Sequence, residues 1–393
     1  MASRALAPYG TSVFTVFSAL AREHDAINLA QGFPDFDGPE WIQDAARDAM
    51  RRGHNQYAAS HGAVRLRRAV AADTERRYGL AYDPQDEVTV TTGATEGIAA
   101  ALLGLLDPGD EVLTFEPFYD SYPACAAMAG ARLRAVPLRP PGFVFDPQEL
   151  ERAFTPRTRL FILNTPHNPT GRVFAEEECA RVVELCRRHD AWLLCDEVYE
   201  RLTFAGHEHF TPARLDRERT IRLSSAAKTF SLTGWKVGWA CSCREAAAAL
   251  RRAHQFLVFC AAAPLQEAIA IALEEAEGRG YDDGFGAAYA RRRVALLEGL
   301  EKSGFRPTPP EGTYFVMADY GALARPGEGD DAFCRRLIRE RGVAALPPRS
   351  FYEHPEHGRH LVRFAFCKEV ETLREAGRRL ARSDRARACG EED

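Results

Sequence analysis

The 393-residue chain carries 47 Arg but only four Lys, at positions 228, 236, 302 and 368. Arg is the default cation, so each Lys marks a place where a guanidinium would fail. A guanidinium stays protonated, whereas an ammonium can lose its proton in a suitable site and become a nucleophilic amine. Two of the four stand eight residues apart in Ser224–Trp239, a small, polar, Gly-punctuated stretch that follows the apolar run Ile221–Ser225. A loop of this kind at a strand end can hold a reactive Lys228 and bind an anion through Ser225, Lys236 and backbone N–H groups.

Other residues are placed for related chemistry. Asp196 closes the apolar run Trp192–Cys195, a poor position for an unpaired carboxylate. The run Glu87–Thr92 leads into Gly93-Ala94-Thr95-Glu96-Gly97 and then the apolar Ile98–Leu106. A glycine turn opening a helix is an anion site, although a plain Thr cap is the simpler reading of Thr95 alone. Arg363 interrupts the strand-like Leu361–Phe366, so it lies on an exposed face or pairs with something planar. Ser225-x-x-Lys228 also matches the serine-nucleophile motif of penicillin-binding enzymes. Those require S-D-N and K-T-G; here residues 228–230 read Lys-Thr-Phe and S-D-N is missing.

The elements that must position these groups can be read from the pattern. Short apolar runs at Glu87–Thr92, Glu111–Phe115, Leu160–Asn164, Trp192–Asp196, Ile221–Ser225 and Val237–Ser242 fit buried strands of a largely parallel sheet. Helical periodicity, as in Glu176–His189, lies between several of them, which predicts an α/β domain with ligands at the strand carboxyl ends. From about Arg291 the pattern changes to a long helix, strands at Thr313–Ala318 and Leu361–Phe366, and helices at Ala332–Arg341 and Glu369–Arg382. The charged tail from about 383 reads as frayed. A net charge of −5 argues against a nucleic-acid face. No run approaches the roughly 18 apolar residues of a membrane span, and residues 1–10 lack a secretory pattern, so the expected location is cytoplasmic. Ten scattered cysteines read as reduced structural thiols, with Cys179, Cys186, Cys195 and Cys260 in apolar periodic segments and no metal site expected.

The order and spacing of these segments resemble fold-type I pyridoxal-phosphate aminotransferases of class I/II over nearly the whole chain. The resemblance is closest to the kynurenine, glutamine and methionine aminotransferases, which include cysteine S-conjugate lyases. Gln31-Gly32-Phe33-Pro34-Asp35-Phe36, Asn164-Thr165-Pro166-His167-Asn168-Pro169-Thr170-Gly171, Asp196-Glu197-Val198-Tyr199 and the Lys228 segment carry it. It implies a large cofactor domain at 45–288 on a mostly parallel sheet. A smaller α+β domain at 289–393 would be joined by the N-terminal segment 1–44.

The resemblance also implies roles. Lys228 would carry the cofactor and then move the proton between the substrate Cα and cofactor C4′. Asp196 would pair with the pyridine nitrogen, Tyr199 and Asn168 with the phenolic oxygen, and Tyr119 would stack on the ring. Gly93, Ala94, Thr95, Ser225 and Lys236 would bind the phosphate, with Tyr57 reaching in from a second subunit of a homodimer. Arg363 would clamp the substrate α-carboxylate beside Gly32 and Asn168. Phe14, Phe33, Tyr57 and the second subunit's Phe259 would line a side-chain pocket suited to neutral aromatic or sulfur-containing amino acids. The expected reaction is ping-pong transamination with a 2-oxo acid. β-Elimination or a biosynthetic reaction on the same fold is the alternative, and a cofactor-sensing regulator is a remote one because no DNA-binding domain fits before Gln31.

Overall fold

A computed structural model describes residues 4–382. The N-terminal part carries α1 (Val13–Glu23), the short β1 (Ile27–Asn28), α2 (Glu40–Arg51) and α3 (Val64–Tyr78). Strands and helices then alternate through β2 (Val88–Thr91), α4 (Gly93–Leu105), β3 (Glu111–Glu116), α5 (Ser121–Met128), β4 (Arg132–Pro137) and α6 (Pro147–Ala153). The series continues with β5 (Thr158–Asn164), α7 (Glu176–Arg188), β6 (Trp192–Asp196) and β7 (Thr220–Ser225). Next come the single turn α8 (Ala226–Thr229), β8 (Gly238–Cys241), α9 (Arg244–Leu257) and α10 (Ala263–Glu275). The last third holds α11 (Tyr281–Lys302), β9 (Arg306–Pro307), β10 (Phe315–Asp319), α12 (Asp330–Arg341), β11 (Val343–Ala344), β12 (Leu361–Ala365) and α13 (Val370–Ala381).

The main sheet has the order β2-β8-β7-β6-β5-β3-β4. The pairs among β4, β3, β5, β6 and β7 are parallel, and β8 runs antiparallel to both neighbours. The carboxyl ends of β2, β5, β6 and β7 therefore open on one edge, as crossover connections require. All four are buried, and apolar clusters pack on the sheet. β4 is an edge strand with two partly exposed Arg, and that broken apolar run concealed it from the sequence reading.

A second core gathers α1, β10, β11, β12, α12 and α13 around Phe17, Tyr289, Phe333 and Phe364. β1 pairs in parallel with β11, which draws the N-terminal segment onto this unit. The expected boundary after residue 288 falls inside α11, which starts at Tyr281, ten residues before the sequence reading began it. Gly284 and Gly286 weaken the helical signal there. Asp282 and Asp283 at the amino end and the buried Phe285 and Tyr289 hold the helix nonetheless. The boundary after residue 44 likewise falls within α2, whose Ile42 and Ala46 pack in the large unit's core.

Nine cysteines are free, all buried except Cys260, which lies beyond the end of α9 and not in the apolar periodic segment expected for it; Cys389 lies outside the described residues. No helix among the described residues is long and apolar enough to cross a membrane. The tail from 383 lies outside the described residues as well.

Candidate active site

The sheet edge and the second unit enclose a cavity of about 390 Å³. Asp196 is the last residue of β6 and 5% exposed. Its Oδ2 accepts a hydrogen bond from the Tyr122 hydroxyl at 2.7 Å, while Oδ1 is buried without a partner. Burial raises this carboxyl to about 6, against the pull of the Tyr122 bond. A half-satisfied buried carboxylate is costly unless a ligand supplies the missing donor. A protonated ring nitrogen is such a donor.

Lys228 stands on α8, directly after β7. Its Nζ donates to the Gly32 carbonyl at 3.3 Å and lies 5.9 and 5.3 Å from the ring centres of Tyr199 and Tyr314. Burial lowers the ammonium to about 8, so part of the amine is neutral and nucleophilic near neutral pH. Below it, Arg222 on β7 pairs with Glu197 at 2.6 Å and Glu200 at 2.9 Å, and the Ser224 hydroxyl donates to Glu200 at 2.6 Å. These buried contacts tie β7 to the segment that directly follows β6, next to Asp196 and Lys228. Burial also pushes the Tyr199 phenol well up, so it is a neutral donor.

The turn into α4 faces the same space. Gly93 has φ 75° and opens the helix, and the residue preceding that helix as its cap is Thr92, not Thr95. Thr95 instead stands beside Tyr119, whose phenol is pushed up by burial and pulled partly back by Thr95. Gly238, at the start of β8, packs so closely that a Cβ there would lie 2.7 Å from the Gly93 carbonyl carbon. A Cβ on Gly93 would lie 3.1 Å from Lys236 Nζ. The two glycines thus keep open a cup of free N–H groups beside Lys236 and Ser225, suited to a phosphate.

Arg363 on β12 is fully buried. It donates from Nη1 to Asn168 Oδ1 at 3.0 Å and from Nη2 to the Ala30 carbonyl at 2.9 Å, while Nε has no partner. Its guanidinium carbon lies 4.0 Å from the ring centre of Phe315, 5.1 Å from Phe14 and 5.2 Å from Phe351. Burial brings it down to about 10, which leaves it charged at neutral pH. Phe351 is held in turn by Glu116, which accepts from the N–H groups of Glu353 and His354 and the rings of His354 and His357.

Of the residues expected from the sequence, Phe14, Gly32, Gly93, Ala94, Thr95, Tyr119, Asn168, Asp196, Tyr199, Ser225, Lys228, Lys236 and Arg363 line this one cavity. Tyr57 and Phe259 do not. They lie on the surface of this chain, ring against ring at 5.1 Å, with Tyr57 83% exposed. Phe33 is also outside the cavity lining, under the Lys368 ammonium. The sequence reading missed Tyr122, Phe315, Phe351 and the polar rim of Ser12, Thr15 and Gln31. Only Tyr122 left a signal, one turn after Tyr119. Asn164, quoted only as part of a motif, ties Asp196 to Asn168 by donating to the Asp196 carbonyl at 2.7 Å and accepting from the Asn168 N–H at 2.6 Å.

An amine, a carboxylate with one orphaned oxygen, a glycine-lined helix start and a buried guanidinium share one cavity, an arrangement that could hold a phosphorylated aldehyde cofactor and a carboxylate substrate. The chain belongs to the class I and II aminotransferases, whose family pattern matches residues 24–380, and is a pyridoxal-phosphate-dependent aminotransferase of the fold-type I architecture. The structure of N-succinyldiaminopimelate aminotransferase from Mycobacterium tuberculosis superposes with a TM-score of 0.93 at 47% identity, covering 97% of this chain and 99% of that one. The methionine aminotransferase of Escherichia coli is 41% identical over 94% of this chain and 95% of its own length. Human kynurenine–oxoglutarate transaminase 1 is 36% identical over 93% and 94% respectively. The family and branch read from the sequence hold, while the succinylated relative is one the sequence reading did not weigh.

Proposed function

We propose that this enzyme moves the amino group of a neutral aromatic or sulfur-containing amino acid to a 2-oxo acid, in two half-reactions at one site. The observation that carries this reading is the surround of Arg363: three aromatic rings, and no cation besides Lys228 and Lys236 among the described residues lining the cavity. Beyond those two lysines, which the cofactor engages in this reading, a second carboxylate on the side chain would find no cationic partner in that lining.

The roles divide among the residues of the cavity. Gly93, Ala94 and Thr95 hold the cofactor phosphate with Ser225 and Lys236, Tyr119 covers the ring, and Asn168 and Tyr199 bond its phenolic oxygen. Asp196 keeps the ring nitrogen protonated through its free Oδ1. Bound pyridoxal phosphate supplies an electron sink for the charge left at the substrate Cα. Lys228 would anchor the cofactor through its amine and, once displaced, that amine would take the proton from the substrate Cα. Arg363 grips the α-carboxylate with Asn168 and the Gly32 backbone, so the Cα–H bond is fixed before the proton moves. Phe14, Phe315 and Phe351 exclude water from that grip.

A second copy of the chain completes the site in this reading, bringing Tyr57 to the phosphate and Phe259 to the side-chain pocket. Their exposure here, with Phe256 at 87%, supports it.

A second reading takes a longer, amide-bearing substrate like that in the name of the 47% identical relative. The polar rim of Ser12, Thr15 and Gln31 favours it. The holoenzyme incubated with phenylalanine, methionine, kynurenine, glutamine, glutamate and N-succinyldiaminopimelate, with oxo-acid formation followed for each, separates the two. Fastest turnover of an aromatic or thioether donor is expected. Turnover of only the succinylated substrate overturns the first reading in favour of the second. With a cysteine S-conjugate added to the panel, ammonia and pyruvate released from it without any oxo-acid acceptor, at a rate above oxo-acid formation from the other donors, would sink transamination as the main reaction.

A further inference from the structure

Outside the cavity, one buried imidazole joins two segments on which the site depends. His254 lies in the last turn of α9 and is fully buried. Its Nδ1 is 3.0 and 3.1 Å from the two oxygens of Glu96, and its Nε2 is 2.8 Å from the Ser60 carbonyl. Both neighbours are acceptors. A neutral imidazole carries one N–H and could satisfy only one of them; the doubly protonated ring satisfies both.

Each contact leads toward the site. Glu96 is in the first turn of α4, and its Oε2 also accepts the Thr92 N–H at 3.0 Å. Thr92 directly precedes Gly93, Ala94 and Thr95. On the other side, Ser60 belongs to the loop that carries Tyr57, and the next residue, His61, accepts the Val90 N–H at 3.0 Å, which ties that loop to β2.

We propose that His254 is a positioning residue: as an imidazolium it clamps Glu96 and the Ser60 carbonyl together, setting the Gly93–Thr95 turn and the Tyr57 loop in one frame. The inference rests on reading that turn as the phosphate cup. Burial works against the charge on His254, but Glu96 outweighs it and the ring is raised above its ordinary value, while Arg251 one turn earlier on α9 opposes it. Arg251 is itself occupied by Thr89 Oγ1 and the Gln85 and Val88 carbonyls. His61 adds no charge, because burial, with Arg67 and Arg251 nearby, holds it down to about 4. A buried charge with both hydrogen bonds made is rigid, and losing either partner leaves an unmet group.

The first test is nitrogen-15 spectroscopy of the histidine-labelled, cofactor-free protein at about pH 8, where an unperturbed imidazole is neutral. A ring with two protonated nitrogens that disappears in His254→Gln is expected; a neutral His254 overturns the proposal. The second test titrates the cofactor-free protein with pyridoxal 5′-phosphate and with unphosphorylated pyridoxal. Glu96→Gln keeps the shape and removes the charge, so it serves if His254→Gln does not fold. The Kd for the phosphorylated form should rise about tenfold and that for pyridoxal stay within about twofold. Equal weakening of both, or of neither, overturns the positioning role. Lys236→Ala run beside them separates the two failures. If it binds both forms as the parent does, the phosphate-cup reading falls and takes the positioning role with it, whatever the state of the imidazole.

Discussion

At the residue scale, two buried groups with one unpartnered atom each set the clearest expectations. Arg363 has one free N–H and a fork aimed into the cavity. Arg363→Lys keeps the charge and loses the fork, so KM for the amino donor should rise roughly ten- to a hundredfold, with a smaller fall in kcat. Steady-state kinetics with one donor and one oxo acid would show it, and an unchanged KM would count against the clamp. Asp196 carries a pH signature. Its folded-state value is raised from 3.8 to about 6 by burial. Between about pH 4 and about pH 6 the folded, cofactor-free protein keeps a proton that the unfolded chain has released, so this contribution to stability falls as pH rises through that window. Asp196→Asn should remove that fall and raise the melting temperature of the cofactor-free protein at pH above about 6, while transamination drops roughly a hundredfold or more. Thermal melts across pH check the first half and turnover the second.

At the element scale, α4 is held against α9 with no room to spare. A Cβ on Gly104 would lie 2.3 Å from the Ala249 carbonyl. Gly104→Val should therefore push the helices apart, cost about 1–3 kcal/mol, and weaken cofactor binding because the amino end of α4 forms the cup. Denaturant melts and cofactor titration together would reveal it; loss of stability without loss of affinity would show that the helix ends move independently. This scale also shows what the sequence could disclose. Trp192–Asp196 was legible to the residue, because a buried parallel strand is an unbroken apolar run that ends where the carboxylate appears. β4 was not, since its alternating Arg hid an edge strand. The residues of the cavity that sequence order brings together, such as Lys228 and Ser225, were readable from one segment. Phe351 and Phe315 were not, because they reach Arg363 only where the Pro348–Phe351 turn and β10 pack beside β12, and they leave no local pattern.

At the scale of the whole molecule, several large apolar side chains stand exposed, two of them, Tyr57 and Phe259, ring against ring. Phe256, Tyr57, Val64 and Phe259 are 87%, 83%, 50% and 47% exposed. Exposed aromatic groups of this kind mark an association surface. The protein should sediment as a dimer, and Phe256→Asp should shift it toward monomer with a parallel loss of activity, though this side chain lies outside the cavity lining. Full activity in a monodisperse monomer would rule out the shared site.

The shortage of lysine has a practical side. Of the four amine side chains, Lys368 is buried, Lys228 is half-buried in the cavity, and Lys236, exposed without cofactor, faces the phosphate cup. Lys302, at the far end of α11, has a side chain 73% exposed and paired only with Glu298. An amine-selective reagent applied to the cofactor-loaded enzyme therefore has essentially one side chain to find. Lys302 thus offers one defined side chain for tethering or dye-labelling, beside any free α-amino group, with the catalytic mouth left clear.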